Sequence, residues 1–252
     1  MSSQEPLNQC EDGVFDWCWS ETHHGREVHV HSDKHTITFH QNRSNFSTAI
    51  RGTKILRKNM EHYFEIEMKS PFFGQARQVG LGTEHTPLES NNYDFTQLIG
   101  KDMASWGVNY DGSKYHHSVH TKYISIDPDK HEEIRISVLY DSYYGTLAFK
   151  FNGRSNGVAF DRVLTNLDLY PMLCSSGTNS VMRLTHCCSS VMSLKGLCRG
   201  IIRQNIHDDK HYDKLSVPSH IKAFLLYKTP KSKSSRRTDD ERNNSPPTES
   251  TI

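Results

Sequence analysis

Sixteen histidines, six cysteines and 29 acidic residues give this 252-residue chain ample material for metal binding or acid–base chemistry, so their spacing is the first thing to weigh. His29-Val30-His31 puts two imidazoles on one face of an extended segment, and His116-His117 with His120 is compact. Neither group has a cysteine or carboxylate set at ligand spacing beside it, and no metal site is expected. Cys10, Cys18, Cys174, Cys187, Cys188 and Cys198 lack the paired Cys-x-x-Cys spacing of a zinc site and are expected to be reduced thiols. Glu65 and Glu67 share a strand face, whereas a glycosidase needs two carboxylates facing each other across about 5–10 Å; here they simply line the wet side. The chain contains no Gly-x-Ser-x-Gly elbow, no His-Glu-x-x-His pair and no phosphate-cradling Gly-x-x-x-x-Gly-Lys loop. The expectation is a protein that binds rather than catalyses and uses no cofactor.

Charge and hydropathy narrow the partners. Thirty Lys and Arg balance 29 Asp and Glu to a formal charge of +1, with no single-sign field to attract a phosphate backbone. Nucleic acid is therefore not an expected partner. Mean hydropathy is −0.70, and the longest apolar run, Ala223-Phe224-Leu225-Leu226-Tyr227, is far shorter than the roughly 20 residues of a membrane span. The opening residues MSSQEPLNQCEDGVFDW lack the basic and apolar regions of a secretory leader, which points to an intracellular chain, cytoplasmic and with the nucleus as a second address. The sequons at Asn42 and Asn45 are accordingly expected to go unused. Lys231, Lys233, Arg236 and Arg237 form a loose basic cluster, but Asp239, Asp240 and Glu241 follow at once, as in a solvated tail.

The elements that would position any site read mostly as strands. From about Phe15 to Leu184 the apolar residues alternate: Phe64, Ile66 and Met68 oppose Glu65 and Glu67, and Ile134, Ile136 and Val138 repeat the pattern, as do Leu147, Phe149 and Phe151. Turn signals punctuate this stretch at Arg51-Gly52-Thr53, Ser70-Pro71, Gly80, Gly82, Asp111-Gly112, Asp127-Pro128, Asn152-Gly153 and Asn156-Gly157. Many short strands with close turns predict an antiparallel β-sandwich. After Cys188 the period becomes helical. Leu194, Leu197, Cys198, Ile201 and Ile202 form one apolar stripe with Ser193 placed as the N-cap, although Gly196 and Gly200 each weaken such a helix by roughly 1 kcal/mol. A second helix is expected from Pro218, carrying Ile221, Phe224 and Leu225. From Thr229 onward the composition predicts disorder.

The helical stripe, Ser193-Leu194-x-x-Leu197-Cys198-x-x-Ile201-Ile202, resembles the elongin-binding box that opens a SOCS box, and Leu215-Ser216-Val217-Pro218 with Ile221 onward resembles its cullin box. Upstream, Ala49-Ile50-Arg51-Gly52-Thr53, His62-Tyr63-Phe64-Glu65-Ile66, Val79-Gly80-Leu81-Gly82-Thr83, Ser105-Trp106-Gly107-Val108, Asp141 with Gly145-Thr146-Leu147-Ala148-Phe149, Gly157-Val158-Ala159-Phe160 and Leu169-Tyr170-Pro171-Met172 are similar to a SPRY domain. Together they resemble the SPRY domain-containing SOCS box proteins. Trp17, Trp19, Phe39-His40 and Tyr170 to Ser175 lean towards the third vertebrate paralogue of that family. The resemblance implies an all-β SPRY sandwich at 14–188 after a flexible N-terminus at 1–13, a small α-helical SOCS box at 189–228 and a polar tail at 229–252. It also implies a function, substrate recognition for a cullin-RING ubiquitin ligase leading to degradation of the target. Leu194, Leu197, Cys198, Ile201 and Ile202 would meet the elongin B/C heterodimer, and Leu215, Val217, Pro218 and Ile221 a cullin, usually cullin-5, with its RING protein. Ser216 departs from the family's Leu-Pro-x-Pro.

The substrate face departs further. The family's peptide-gripping arginine, threonine, tyrosine and tryptophan match His40, Thr83, Phe95 and Gly177, so the short target peptide is expected to differ. Its candidate contacts are Asn42, Arg43, Thr83, Phe95, Gly177 and Asn179. The rival reading is a SPRY peptide-binding scaffold whose C-terminal helices pack internally and recruit no ligase; that scaffold buries Leu194, Cys198 and Ile202, and the adaptor exposes them. A lectin-like sugar binder is the third reading, for which no motif speaks.

Overall fold

The computed structural model describes residues 15–206 and 209–228; the expected N-terminus (1–13) and polar tail (229–252) lie outside them. Alternating side chains fold the described chain into two seven-stranded antiparallel sheets. One runs, edge to edge, β1 (Trp19–His24), β4 (Thr48–Gly52), β13 (Tyr170–Ser175), β6 (Arg77–Gly82), β7 (Trp106–Asn109), β8 (Ser113–His116) and β9 (Val119–Lys122). The other runs β12 (Val158–Phe160), β11 (Thr146–Phe151), β10 (Glu133–Asp141), β5 (Met60–Lys69), β14 (Ser180–Val191), β3 (Thr36–Phe39) and β2 (Val28–Val30).

The core lies between the sheets. Phe64, Ile66, Met68, Ile136, Val138, Phe149 and Phe151 meet Trp19, Ile50, Val79, Leu81, Trp106 and Leu173, all at most 1% exposed. Their polar alternates face outward: Arg135 reaches both Glu65 and Glu67 at 3.5 Å, which makes that carboxylate pair one half of a surface ion network. Histidines are likewise spent on packing; His116 stacks on Trp106 and His31 bonds the Thr38 hydroxyl. Among the described residues no group of three or more His, Cys, Asp or Glu could hold a metal ion.

Asn152 and Gly153 both take positive φ, +48° and +77°, as the tight turn after β11 requires. Gly80 and Gly82 are not turns. They lie inside β6, where a Cβ on Gly80 would meet the Trp106 carbonyl and one on Gly82 the Met172 sulfur at 2.5 Å; close approach, not a bend, requires glycine there. A second correction concerns the thiols. Cys18, Cys174, Cys187 and Cys198 are free, but Cys188 is disulfide-bonded.

β14 carries the chain three residues beyond the expected boundary at 188, and α1 (Leu194–Asn205) follows, its first turn capped by Ser193 Oγ accepting the Gly196 N–H at 3.1 Å. A short α2 (Asp209–Tyr212), which the sequence pattern does not announce, and α3 (Ser219–Leu225) complete the fold. Pro218 stands just outside α3 as its cap residue rather than in its first turn. Tyr212, Leu225 and Leu226 form a small helical core, with Leu215, Ile221 and Phe224 partly buried against it.

Phe64 is fully buried and packs edge-on against Trp17 at 5.5 Å. Phe64→Ala is expected to lower unfolding free energy by about 3–5 kcal/mol, measurable as a shifted denaturant midpoint with an unchanged slope.

Candidate functional site

Loops gather at the end of the sandwich where β5 and β6 turn over. A buried cation holds them: Arg77 donates from Nε to Ser180 Oγ at 2.5 Å and from Nη1 to the Lys69 and Pro71 carbonyls at 3.2 Å, with Phe72 under its guanidinium at 5.3 Å. Burial pulls the Arg77 pKa down to about 10, so the group keeps its charge at neutral pH. The β3–β4 loop is tied to the β13–β14 turn by Asn179 N–H to the His40 carbonyl at 2.8 Å and by Ser44 Oγ to the Ser176 carbonyl at 2.7 Å. It is tied to the long loop after β6 by Ser47 N–H to the Asp94 carbonyl at 3.1 Å. The surface so framed carries two exposed aromatics, Phe73 at 62% and Tyr93 at 76%.

The helices dock at the opposite end. Glu61, near the start of β5, and Lys69, at its finish, are separated by about 26 Å at roughly 3.3 Å per residue. The helix face that meets the sandwich is not the apolar one. Gly196, Arg199 and Gly200 are its buried residues; a Cβ on Gly196 would come within 2.8 Å of Met192, and one on Gly200 would run into the Tyr144 ring. Arg199 Nη2 donates to Glu61 Oε1 at 2.8 Å, both side chains more than nine-tenths buried. The guanidinium also lies over the Tyr227 ring at 3.8 Å and the Phe224 ring at 4.7 Å. Burial raises the Glu61 carboxyl above its ordinary pKa, and Arg199 opposes that rise. The apolar stripe points away: Leu194 is 77%, Ile201 54% and Ile202 37% exposed, Cys198 is exposed and Leu197 half-buried.

Comparison with known proteins matches residues 61–187 to the SPRY domain family model. The chain belongs to the SPRY domain family. Among its relatives are SPRY domain-containing SOCS box protein 3 of Xenopus tropicalis, 33% identical over 86% of this chain and 60% of that protein, and SPRY domain-containing SOCS box protein 1 of Homo sapiens, 28% identical over 83% and 80%. The chain thus spans about three fifths of the length of the Xenopus relative. The solved TRIM65 PSpry domain superposes with a TM-score of 0.55 at 14% identity, covering 74% of this chain and 98% of that one, a likeness of fold.

On this SPRY sandwich the expected peptide contacts do not form one cluster. Asn42 and Arg43 of the β3–β4 loop, Phe95 of the long loop, and Gly177 and Asn179 of the β13–β14 turn share the loop end, with Asn42, Arg43 and Asn179 exposed and Phe95 half-buried. Thr83 does not join them. It follows β6, whose Gly82 pairs with Tyr170 and whose Arg77 pairs with Ser175, so it leaves the sheet about 17 Å from the Gly177 turn. There Thr83 is 6% exposed and its Oγ1 accepts the His85 N–H at 3.3 Å. His40 is fully buried, with Nε2 3.3 Å from the Ser175 carbonyl and its ring edge-on to Phe46. Gly177 is buried as well, its missing side chain replaced by the Phe73 carbonyl. Phe73, Tyr93 and the exposed Gln75 are the residues of this end that motif matching passes over; the adjacent aromatics in Ser70-Pro71-Phe72-Phe73-Gly74 were the available signal.

Arg199→Met removes the cation beside a buried carboxylate and is expected to cost about 3–5 kcal/mol at neutral pH. Because burial raises the Glu61 pKa in the folded state, protonation favours folding: that contribution is present below the unfolded carboxyl pKa and is lost as pH rises through the folded one. The deficit of the variant should therefore shrink at pH 4 relative to pH 7.5 in parallel denaturant titrations; a deficit that grows on acidification would contradict the pairing.

Proposed function

We propose that this chain is a substrate-recognition adaptor of an elongin B/C–cullin–RING ubiquitin ligase. The observation that carries the reading is the orientation of α1: the residues matching an elongin-binding box, Leu194, Leu197, Cys198, Ile201 and Ile202, form its outward face. An internally packed scaffold would turn that stripe inward, since burying it is the ordinary way to stabilise a short amphipathic helix. Leu194, 77% exposed at the start of α1, is the anchor whose truncation costs most.

Cullin contact falls to Val217, half-buried, and to Pro218 and Ser216, both exposed, ahead of α3. Leu215 and Ile221 divide their surface between that contact and the core formed by Tyr212, Leu225 and Leu226. Ser216 loosens the turn that a proline would hold, which tunes the cullin affinity, with cullin-5 the expected partner. The domain division follows: a SPRY sandwich that binds a target peptide through Asn42, Arg43, Phe95, Gly177 and Asn179 with Phe73 and Tyr93, and a SOCS box in the helices. The protein performs no chemistry itself. Holding the target at one end and the ligase at the other raises the effective concentration of the target's lysines at the transfer site, which promotes ubiquitination and degradation in the cytoplasm and nucleus.

Co-expression with elongin B and elongin C, resolved by size exclusion, tests the assignment. Wild type should elute as a stoichiometric ternary complex, and Leu194→Ala with Cys198→Ala should lose it while the sandwich keeps its thermal transition. A wild-type monomer that ignores elongin would instead leave a SPRY scaffold.

A further inference from the structure

The sandwich packs against α1 at the Gly200 flank, beside Leu197. The turn between β10 and β11 brings Tyr144 against the helix, its ring filling the space at Gly200 and its hydroxyl donating to the Leu197 carbonyl at 3.4 Å. The Tyr143 ring lies 5.7 Å from that of Tyr144 and is 50% exposed. The turn is held from beneath: the buried Asp141 carboxylate accepts the Tyr143 N–H at 2.9 Å and the Tyr144 N–H at 3.1 Å through one oxygen, and the Tyr227 hydroxyl at 3.4 Å through the other. An aromatic ring on a pre-ordered turn offers contact area at little entropic cost. The other flank of the helix is different, because the Lys195 ammonium covers Phe224 there at 4.3 Å. Two tyrosine rings therefore stand on the sandwich side of the helix, and a cation on the α3 side.

We propose that the partner docked on α1 also rests on Tyr143, so that the SPRY sandwich supplies part of the elongin-facing surface. This inference depends on the adaptor reading and deepens it. Leu194, Cys198 and Ile201 form the aliphatic part of the surface, and Tyr143 adds an aromatic contact on the Leu197 side. A partner seated on both elements cannot rotate about the helix axis, which fixes the loop end of the sandwich relative to the ligase.

Isothermal titration of the full chain with the elongin B/C heterodimer, for wild type, Tyr143→Ala, Tyr143→Phe and Leu194→Ala, tests it. Tyr143→Ala is expected to weaken binding about five- to thirtyfold with an unchanged melting temperature, Tyr143→Phe to stay within about twofold because the ring carries the contact, and Leu194→Ala to lose binding. Tyr143→Gln, which keeps a long side chain beside Tyr144 without the ring, should match the alanine variant and replaces it if alanine disturbs the turn. Wild-type affinity in both ring-deleted variants, with Leu194→Ala still defective, overturns this inference and leaves the adaptor reading standing. Absence of binding by the wild type overturns both.

Discussion

A helix that touches its neighbour with glycines leaves no room on that face for its large apolar side chains. That steric fact at Gly196 and Gly200 governs how α1 sits on the sandwich. A Cβ at Gly200 would occupy the Tyr144 ring, and one at Gly196 would press on Met192. Between the two glycines Arg199 passes into a site closed by Glu61, Phe224 and Tyr227. The ion pair there is weak evidence for stability as such, because desolvating both charges offsets most of their attraction. Its value is orientational: with one charge on the sandwich and one on the helix, any rotation of α1 leaves a buried charge alone. Helix and sandwich are thereby locked in one relative orientation, and the stripe from Leu194 to Ile202 has nowhere to face but outward.

The same logic links the two ends. β5 and β14 span the sandwich between the loop end and the helical end in opposite directions, pairing Met182 with Met68 at one and Val191 with Met60 at the other. Arg77 anchors the loops to Ser180 where β14 starts, and Glu61 anchors α1 close to where β14 stops. Dense packing between the sheets makes the span rigid, since core side chains such as Phe64 and Phe149 leave no slack for the strands to slide. Whatever the loops hold is then carried at a fixed distance and orientation from whatever the helix holds.

The sandwich was legible from period two because large apolar residues such as Phe64, Ile66, Met68, Ile136, Val138, Phe149 and Phe151 alternate with Glu65, Glu67, Arg135, Ser137 and Lys150; His62, buried on the inner face, and Leu139 and Ala148, buried on the outer one under Tyr227, break that alternation. The helical stripe was legible too, and its N-cap with it. What spacing could not reveal was which face of α1 meets the sandwich, since hydrophobicity alone argues for the wrong one; Gly196 and Gly200 looked like defects until Tyr144 and Met192 stood against them. Thr83 illustrates a different gap. It closes a motif beside the glycines of β6, but strand direction sends it to the end remote from Gly177, and direction is a property of the sheet. His40, matched to the family's peptide-gripping arginine, is buried, because its carbonyl and ring are both taken by the turn at Ser175 to Asn179. The four-residue α2 was invisible for a related reason: an element of one turn is too short to show a periodic pattern.

The inverted helix also bears on binding energy. Two glycines make α1 intrinsically poor, by about 2 kcal/mol relative to alanines, so a free segment of this sequence would have to be ordered by its partner and binding would be weaker by that amount. Docked through Gly196, Arg199 and Gly200, the helix is ordered before any partner arrives, and the glycines that weaken it alone are what permit the contact that stabilises it. Their cost therefore falls on folding and not on association. A stripe presented this way is a preorganised docking face, and its exposure of Leu194, Ile201 and Ile202 in the isolated chain is the solubility burden that accompanies readiness to bind.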